Sequence, residues 1–180
     1  MLPERLLAGP VALRRFVASD ADHVELLAGE REVAETTAFI PHPYPRGAAT
    51  AWIATHEACA AAGVEYTYAI TDHAGSIVGA IGLRPLRSEH ENIGYWIGRP
   101  YWGRGYATAA SQAVIALGFE LLGLEALTAS HLVRNLASGR VMEKCGMRLL
   151  RHERRDHRGL PEDFCVRGIT REEWTNSLAG

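Results

Sequence analysis

Cysteine is scarce in this chain of 180 residues, which carries three, Cys59, Cys145 and Cys165. An odd number at wide spacing excludes a disulfide framework and a CxxC zinc or redox site. Lysine is scarcer still: Lys144 stands alone among 19 basic residues. Neither sign of charge dominates, with 19 Lys+Arg against 21 Asp+Glu. That balance argues against a basic surface built for nucleic acid or another polyphosphate. The eight histidines form no HxxxH pair, and His152 and His157 stand five apart, the wrong spacing for one helix face, so no metal site is expected. Long apolar runs are missing as well. The longest uncharged stretch, 105–119, is closed by Arg104 and Glu120 and is too short to span a bilayer, so no membrane association is expected. Glu4 and Arg5 interrupt the opening apolar residues, which lack the core of a signal peptide. A reducing, cytoplasmic setting is the expectation.

What is present is the makings of one ordinary domain over 1–180, since 47% hydrophobic residues can bury a core of their own. Residues 11–17 have strand composition, and Ser19-Asp20 is placed to cap a helix whose stripe includes Val24, Leu26 and Leu27. Prolines 41, 43 and 45 forbid regular helix through IPHPYP and make it a stiff loop. An alanine-rich helix is expected over 47–62, ended by Gly63. Strands are expected at 66–71, 76–86 and 92–97, then a long helix over 104–122 with Ala107, Ala110, Val114, Leu117 and Leu121 on one face. A strand at 124–132, a short helix at 136–145 and a closing strand pair, 149–154 and 164–169, complete a mixed α/β domain.

Two segments carry chemistry. In Tyr101-Trp102-Gly103-Arg104-Gly105-Tyr106-Ala107-Thr108, glycines lie where a strand gives way to the longest helix. Glycine lets backbone approach an anion, and a helix start offers unpaired N–H groups and a positive dipole end, so a pyrophosphate is a natural guest. The same glycines also suit a tight turn with no ligand. The segment is neither GxGxxG, because Thr108 fills the sixth place, nor a P-loop. In Asn135-Leu136-Ala137-Ser138-Gly139-Arg140-Val141-Met142-Glu143-Lys144-Cys145-Gly146-Met147, Asn135 is a good N-cap and Gly146 a good terminator, which a well-capped helix alone would explain. Asn135 and Ser138 nonetheless stand one turn apart, so both can face one cleft.

In this order, IVGAIGL (77–83), IGYWIGRPYWGRGYATAA (93–110) and NLASGRVMEKCGM (135–147) resemble the GCN5-related N-acetyltransferase (GNAT) superfamily, and within it the RimJ/RimL-like branch of ribosomal-protein N-terminal acetyltransferases. The resemblance spans most of the chain, from the first strand to Glu172-Glu173-Trp174. It implies an α/β (α+β) fold: a mostly antiparallel mixed sheet, splayed in the middle, with helices on both faces. It implies acetyl transfer from acetyl-CoA to a primary amine, without a metal, by direct attack in a ternary complex. Gly103, Arg104, Gly105, Tyr106, Ala107 and Thr108 would hold the pyrophosphate. Ile97 would pair with the pantetheine arm, Asn135 and Ser138 would line the arm and thiol, and Ser138 would help protonate the departing thiolate. Arg140 and Lys144 would reach the adenosine end or form a solvated helix face.

The chain departs from that pattern twice. Trp102 occupies a position that usually holds Gln or Arg, and Asn92 stands just before IGY where many relatives carry Glu. Asparagine can orient an amine but cannot take its proton. The candidate bases are then Glu91 and His131, although strand alternation sets Glu91 opposite to Asn92 and His131 equally suits a half-buried strand position. His42 and Tyr44 of IPHPYP are expected to roof the acceptor cleft. The cluster RHERRDHR (151–158) reads as a solvated hairpin or as a surface for an acidic peptide. The expected acceptor is a protein or peptide N-terminal α-amino group, handled by a monomer or homodimer. The alternatives are a small amine such as a polyamine, an aminoglycoside or an amino-acid analogue, and a non-catalytic acyl-CoA-binding module.

Overall fold

The computed structural model describes residues 2–85 and 91–178. Eight strands form one sheet in the order β1-β2-β3-β4-β5-β6-β8-β7. They are β1 (Arg5–Ala8), β2 (Val11–Arg14), β3 (Tyr66–Thr71), β4 (Ile77–Leu83), β5 (Ile93–Ile97), β6 (Ala126–Leu132), β7 (Arg148–His157) and β8 (Leu160–Thr170). The helices are α1 (Ala21–Ala28), α2 (Arg31–Ala34), α3 (Ala48–Ala61), α4 (Tyr106–Glu120), α5 (Leu136–Lys144) and α6 (Arg171–Leu178). All neighbouring strands run antiparallel except β5 and β6, which run parallel.

Packing explains the layers. IVGAIGL of β4 is buried at every position, as a central strand covered on both faces must be. On one face α4 contributes Ala110, Val114, Ile115, Leu117 and Phe119 to the main core, with Met142 of α5 beside them. On the other, Val24 and Ala28 of α1 meet Ala49 and Ile53 of α3, with Tyr44, Trp52 and Trp96 packed against them. Burying a side chain such as Phe119 is worth about 1.5–3 kcal/mol. These two layers hold the sheet from both sides.

The element order expected from the sequence is present, with additions. β1 folds back on β2 although Glu4 and Arg5 interrupt its apolar pattern. The strand expected over 11–17 stops at Arg14, which forms an ion pair with Asp20 at 2.7 Å. Asp20 does not cap α1: its carboxylate accepts the Val17 N–H (2.8 Å) and holds Arg14. Leu86, the last residue of another expected strand, lies outside the described residues. β7 and β8 extend further than expected because the arms of their hairpin run on to His157 and start again at Leu160. β7 lies at the sheet edge, where charged side chains remain hydrated and discourage pairing with another chain.

The parallel pair matters most for the site. β5 and β6 share a single registered position, Ile93 opposite Ala129, and then diverge. Asn92 fastens this crotch. Its side-chain N–H donates to the Arg84 carbonyl (2.8 Å), and its Oδ1 accepts from the Thr128 N–H (3.0 Å) and hydroxyl (3.1 Å).

Candidate active site

The diverging strands open a cleft of about 1080 Å³, lined from α1 to the end of β7. One wall is made of backbone. Arg84 N–H donates to the Asn92 carbonyl and Gly98 N–H to the Val78 carbonyl, both at 2.8 Å. In an antiparallel ladder such positions alternate, so residues 92, 94, 96 and 98 bond towards β4 while 93, 95 and 97 point their N–H and C=O groups the other way. Beyond Ile93, that direction is the gap. The Tyr95 backbone and the Ile97 N–H therefore face open space between the strands. The Ile97 carbonyl does not, because the Trp102 indole N–H donates to it at 2.7 Å. Trp102 thus closes the far end of the gap from the position where Gln or Arg is usual.

Past Trp102 the chain enters α4 through Gly103 and Gly105, with φ of +77° and +78°. These left-handed conformations favour glycine. A Cβ built at either position would meet no atom within 4 Å, so the ground beside them is clear. The first intrahelical bond runs from Ala109 N–H to the Gly105 carbonyl (3.0 Å), which leaves the Tyr106, Ala107 and Thr108 N–H groups at the helix start. Arg104 donates to the Pro100 carbonyl (3.1 Å) and lies over the Tyr101 ring at 5.5 Å.

α5 forms the next part of the wall. Asn135 is its N-cap, its Oδ1 accepting the Ser138 N–H at 3.1 Å. The Ser138 hydroxyl lies 2.8 Å from the Tyr95 hydroxyl, a contact no sequence spacing announces. Burial pushes the Tyr95 phenol far up from its ordinary value, against the opposing effect of the Ser138 bond. The phenol stays protonated and remains a donor. Arg140 and Lys144 are exposed on the same side of the cleft.

The opposite wall is made of side chains. Tyr44, Trp52, Trp96 and Phe164 supply aromatic surface. Glu65 pairs with Arg84 at 3.2 Å over Gly82 and Gly94, which face each other across β4 and β5 without side chains. Glu91 accepts from the Ser130 hydroxyl (2.8 Å) and from Arg155, whose Nη1 lies 3.2 Å from Oε2. Burial works to raise the Glu91 carboxyl, but the bonds from Arg155 and Ser130 outweigh it and hold the group below its ordinary value. Arg155 is invisible as a site residue within RHERRDHR. The cluster is not uniformly solvated either: His157 is buried, and Arg158 donates to the Ala34 carbonyl at 2.6 Å and to the Ile40 carbonyl.

Two expectations need correction, those for Asn92 and His42. Asn92 does not face the cleft, because both ends of its amide are consumed in fastening β4 to β6. His42 is not among the lining residues; its Nδ1 lies 3.2 Å from the Gly29 carbonyl, while Tyr44 does reach the cleft. His131 is among the residues lining the cleft, but on the other face of β6 from Ser130, the partner of Glu91. Alternation along β6 turns His131 under α5, where a Cβ on Gly139 would come within 2.9 Å of its ring. The His131 Nδ1 donates to the Leu132 carbonyl (2.9 Å), and its Nε2 is sealed from solvent without a partner. Among the described residues no group of three or more His, Cys, Asp or Glu is arranged to hold a metal ion. No helix among them is long and apolar enough to cross a membrane.

Residues 11–148 match the family model described as the acetyltransferase (GNAT) domain. The FsC-acetyl coenzyme A-N(2)-transacetylase of Aspergillus fumigatus is 28% identical over 95 residues, which cover 51% of this chain and 40% of that protein. Such matches span about half the length of the curated relatives. Among solved structures, RimL, a ribosomal L7/L12 α-N-protein acetyltransferase in complex with coenzyme A, superposes with a TM-score of 0.82 at 14% identity, covering 93% of this chain and 98% of that one. A chimera of the spermidine N-acetyltransferase SpeG from Vibrio cholerae with hSSAT gives 0.76 at 17% identity, covering 93% and 99%. These two likenesses concern the fold. The family match takes in the diverging strands, the glycine turn and α5 together, and by it this chain belongs to the GNAT acetyltransferase family.

Proposed function

We propose that acetyl-CoA is the donor and that the acceptor is the α-amino group of a protein or peptide N-terminus. The observation that carries the acceptor assignment is the pairing of Glu65 with Arg84 and of Glu91 with Arg155. A polyamine is best received by unpaired carboxylates in series, and among the described residues the two carboxylates beside the crotch, Glu65 and Glu91, are already matched by arginine. One matched carboxylate can still accept a hydrogen bond from a single ammonium group. An α-amino group titrates near 8, so a useful fraction is neutral without a strong base.

The donor wall fits the cosubstrate. The N–H groups of Tyr106, Ala107 and Thr108, with Gly103, Gly105 and Arg104 around them, suit a pyrophosphate. The Tyr95 backbone and Ile97 N–H suit a pantetheine arm lying as a stand-in for the missing strand contact. Arg140 and Lys144 suit the adenosine end, and Asn135 lines the path to the thiol. Bound there, the cosubstrate supplies an activated acetyl carbon: the amine nitrogen bonds to it, the C–S bond breaks and the electron pair leaves on sulfur. Main-chain N–H groups on the gap edge of β5 suit the developing oxyanion. The Ser138 hydroxyl, backed by the protonated Tyr95 phenol, passes a proton to the thiolate. One ammonium proton departs to water by way of the Glu91 side of the cleft before attack; the second, shed by the nitrogen once it is bonded to the acetyl carbon, returns through water to restore the Ser138 hydroxyl.

The test is acceptor competition with acetyl-CoA in excess, setting peptides with free N-termini against spermidine and Nα-blocked lysine peptides. The free N-termini are expected to win. Preference for spermidine or the blocked peptides would overturn the α-amine assignment and leave the acetyltransferase in place.

A further inference from the structure

We propose that Arg155 is a positioning residue, which turns the Glu91 carboxylate onto the acceptor face of the crotch and so supplies the amine anchor that Asn92 does not. The inference rests on the acceptor side as read above and deepens it. Position 92 is committed to structure, since its amide ties Arg84 to Thr128 across the point where the strands part. Glu91 lies two residues ahead of β5, so the pleat does not dictate its direction. Something else must aim it.

Two partners do. Ser130 follows Ala129, the residue where β6 touches β5, and its hydroxyl donates to Glu91 at 2.8 Å. Arg155 reaches over from β7 with its guanidinium above the Phe164 ring, 5.3 Å from the centroid. Both its terminal nitrogens engage the Glu91 carboxylate, and Nη1 also lies 3.3 Å from the Ser130 hydroxyl. Its Nε is held by Glu153, whose other oxygen accepts from Arg151 at 2.6 Å. Planar, two-pronged engagement fixes direction as well as charge, which a lysine could not do. Arg84 approaches from the other side, donating to the Glu91 main-chain carbonyl at 3.3 Å, with Glu65 as its partner. Among the described residues, the charged groups around Glu91 are Arg155 and Glu153 from β7 and the Arg84–Glu65 pair; Asp156 and His157 line the same wall farther along β7. A carboxylate aimed and kept ionised in this way is a counter-charge for an ammonium group rather than a proton acceptor.

The experiment combines a ¹³C titration of the Glu91 carboxyl with steady-state kinetics at saturating acetyl-CoA. The acceptor is an alanine-initiated peptide with a free N-terminus, or spermidine if the competition selects it. Arg155→Met is expected to move the Glu91 midpoint upward, to carry the acid limb of kcat/KM to higher pH, and to raise the acceptor KM about 10-fold, the cost of one charge-assisted hydrogen bond. The acetyl-CoA KM should stay within about twofold. Arg155→Lys should recover part of the midpoint shift but little of the KM, and it keeps the test open if the methionine variant does not fold. Glu91→Gln should raise the acceptor KM as much, and adding Arg155→Met to it should change little more. If Glu91→Gln raises KM while Arg155→Met leaves KM and the Glu91 titration unchanged, the positioning role is overturned. If Glu91→Gln leaves the acceptor kinetics unchanged, the reading of Glu91 itself fails and takes the proposal with it.

Discussion

The two walls of the cleft are built from different material. On the α4–α5 side the groups that face the gap are mainly backbone: N–H groups at a helix start, main-chain groups of β5, and glycines that keep the approach clear. On the α1–α3 side they are side chains held in pairs, Glu65 with Arg84 and Glu91 with Arg155, beside an aromatic surface. A backbone wall recognises what every acyl-CoA shares, a pyrophosphate and an amide-bearing arm. It tolerates sequence change except at its glycines and its few polar contacts. A side-chain wall can be rewritten residue by residue, and on the proposed function acceptor choice belongs there. Substitutions on the first wall should therefore act on cosubstrate binding or on the chemical step, and those on the second on the acceptor.

The largest effect should come from Gly105→Val. The residue sits at φ +78°, where a β-branched side chain is strained, and its methyl groups would fill ground that is now clear. Calorimetry should show acetyl-CoA binding weakened by at least about 300-fold, roughly 3.4 kcal/mol, with circular dichroism unchanged. Unaltered affinity in a folded protein would remove the pyrophosphate from this turn. Next comes Ser138→Ala. With the relay broken, kcat should fall about 100-fold while the acetyl-CoA dissociation constant changes little. Tyr95→Phe should act through the same contact, so the double variant should lose much less than the product of the two single losses. Independent losses would show that the 2.8 Å contact is incidental.

Asn92→Ala sharpens the boundary between the walls. Removing the buried amide leaves half-buried partners on Arg84 and Thr128 without their bonds, and chemical denaturation should show a loss of about 1–3 kcal/mol. Its acceptor KM should remain close to that of the parent. A raised KM at unchanged stability would return Asn92 to the substrate site.

The last effect is one of pH. His56 sits between Phe16 and Trp52, with both ring nitrogens buried and without a partner, and burial lowers its pKa to about 4 from the ordinary 6.5. The unfolded chain then binds more protons than the native one between those values, so stability present above 6.5 is lost as pH falls towards 4. His56→Phe should flatten that part of the melting-temperature profile. A profile of the same slope in both proteins would place the acid sensitivity elsewhere.

By itself the sequence determined the element order, the glycine turn into α4 and the N-cap of α5, because each is local. A left-handed turn, a helix start and a cap depend on residues within a few positions of one another. RHERRDHR, in contrast, reads as a hydrated cluster from its composition, since nothing local distinguishes Arg155, which turns inward, from Arg154, which does not. The Tyr95–Ser138 contact joins residues 43 positions apart, and the Glu91–Arg155 pair joins residues 64 apart. Those partners meet only because β5 and β6 part after a single shared position and β8 carries β7 alongside. The placing of His131 depends on packing in the same way: a face is fixed by what packs on it, and α5 packs there through Gly139. Only the tertiary structure could settle these points, because they depend on which chain segments the sheet brings together.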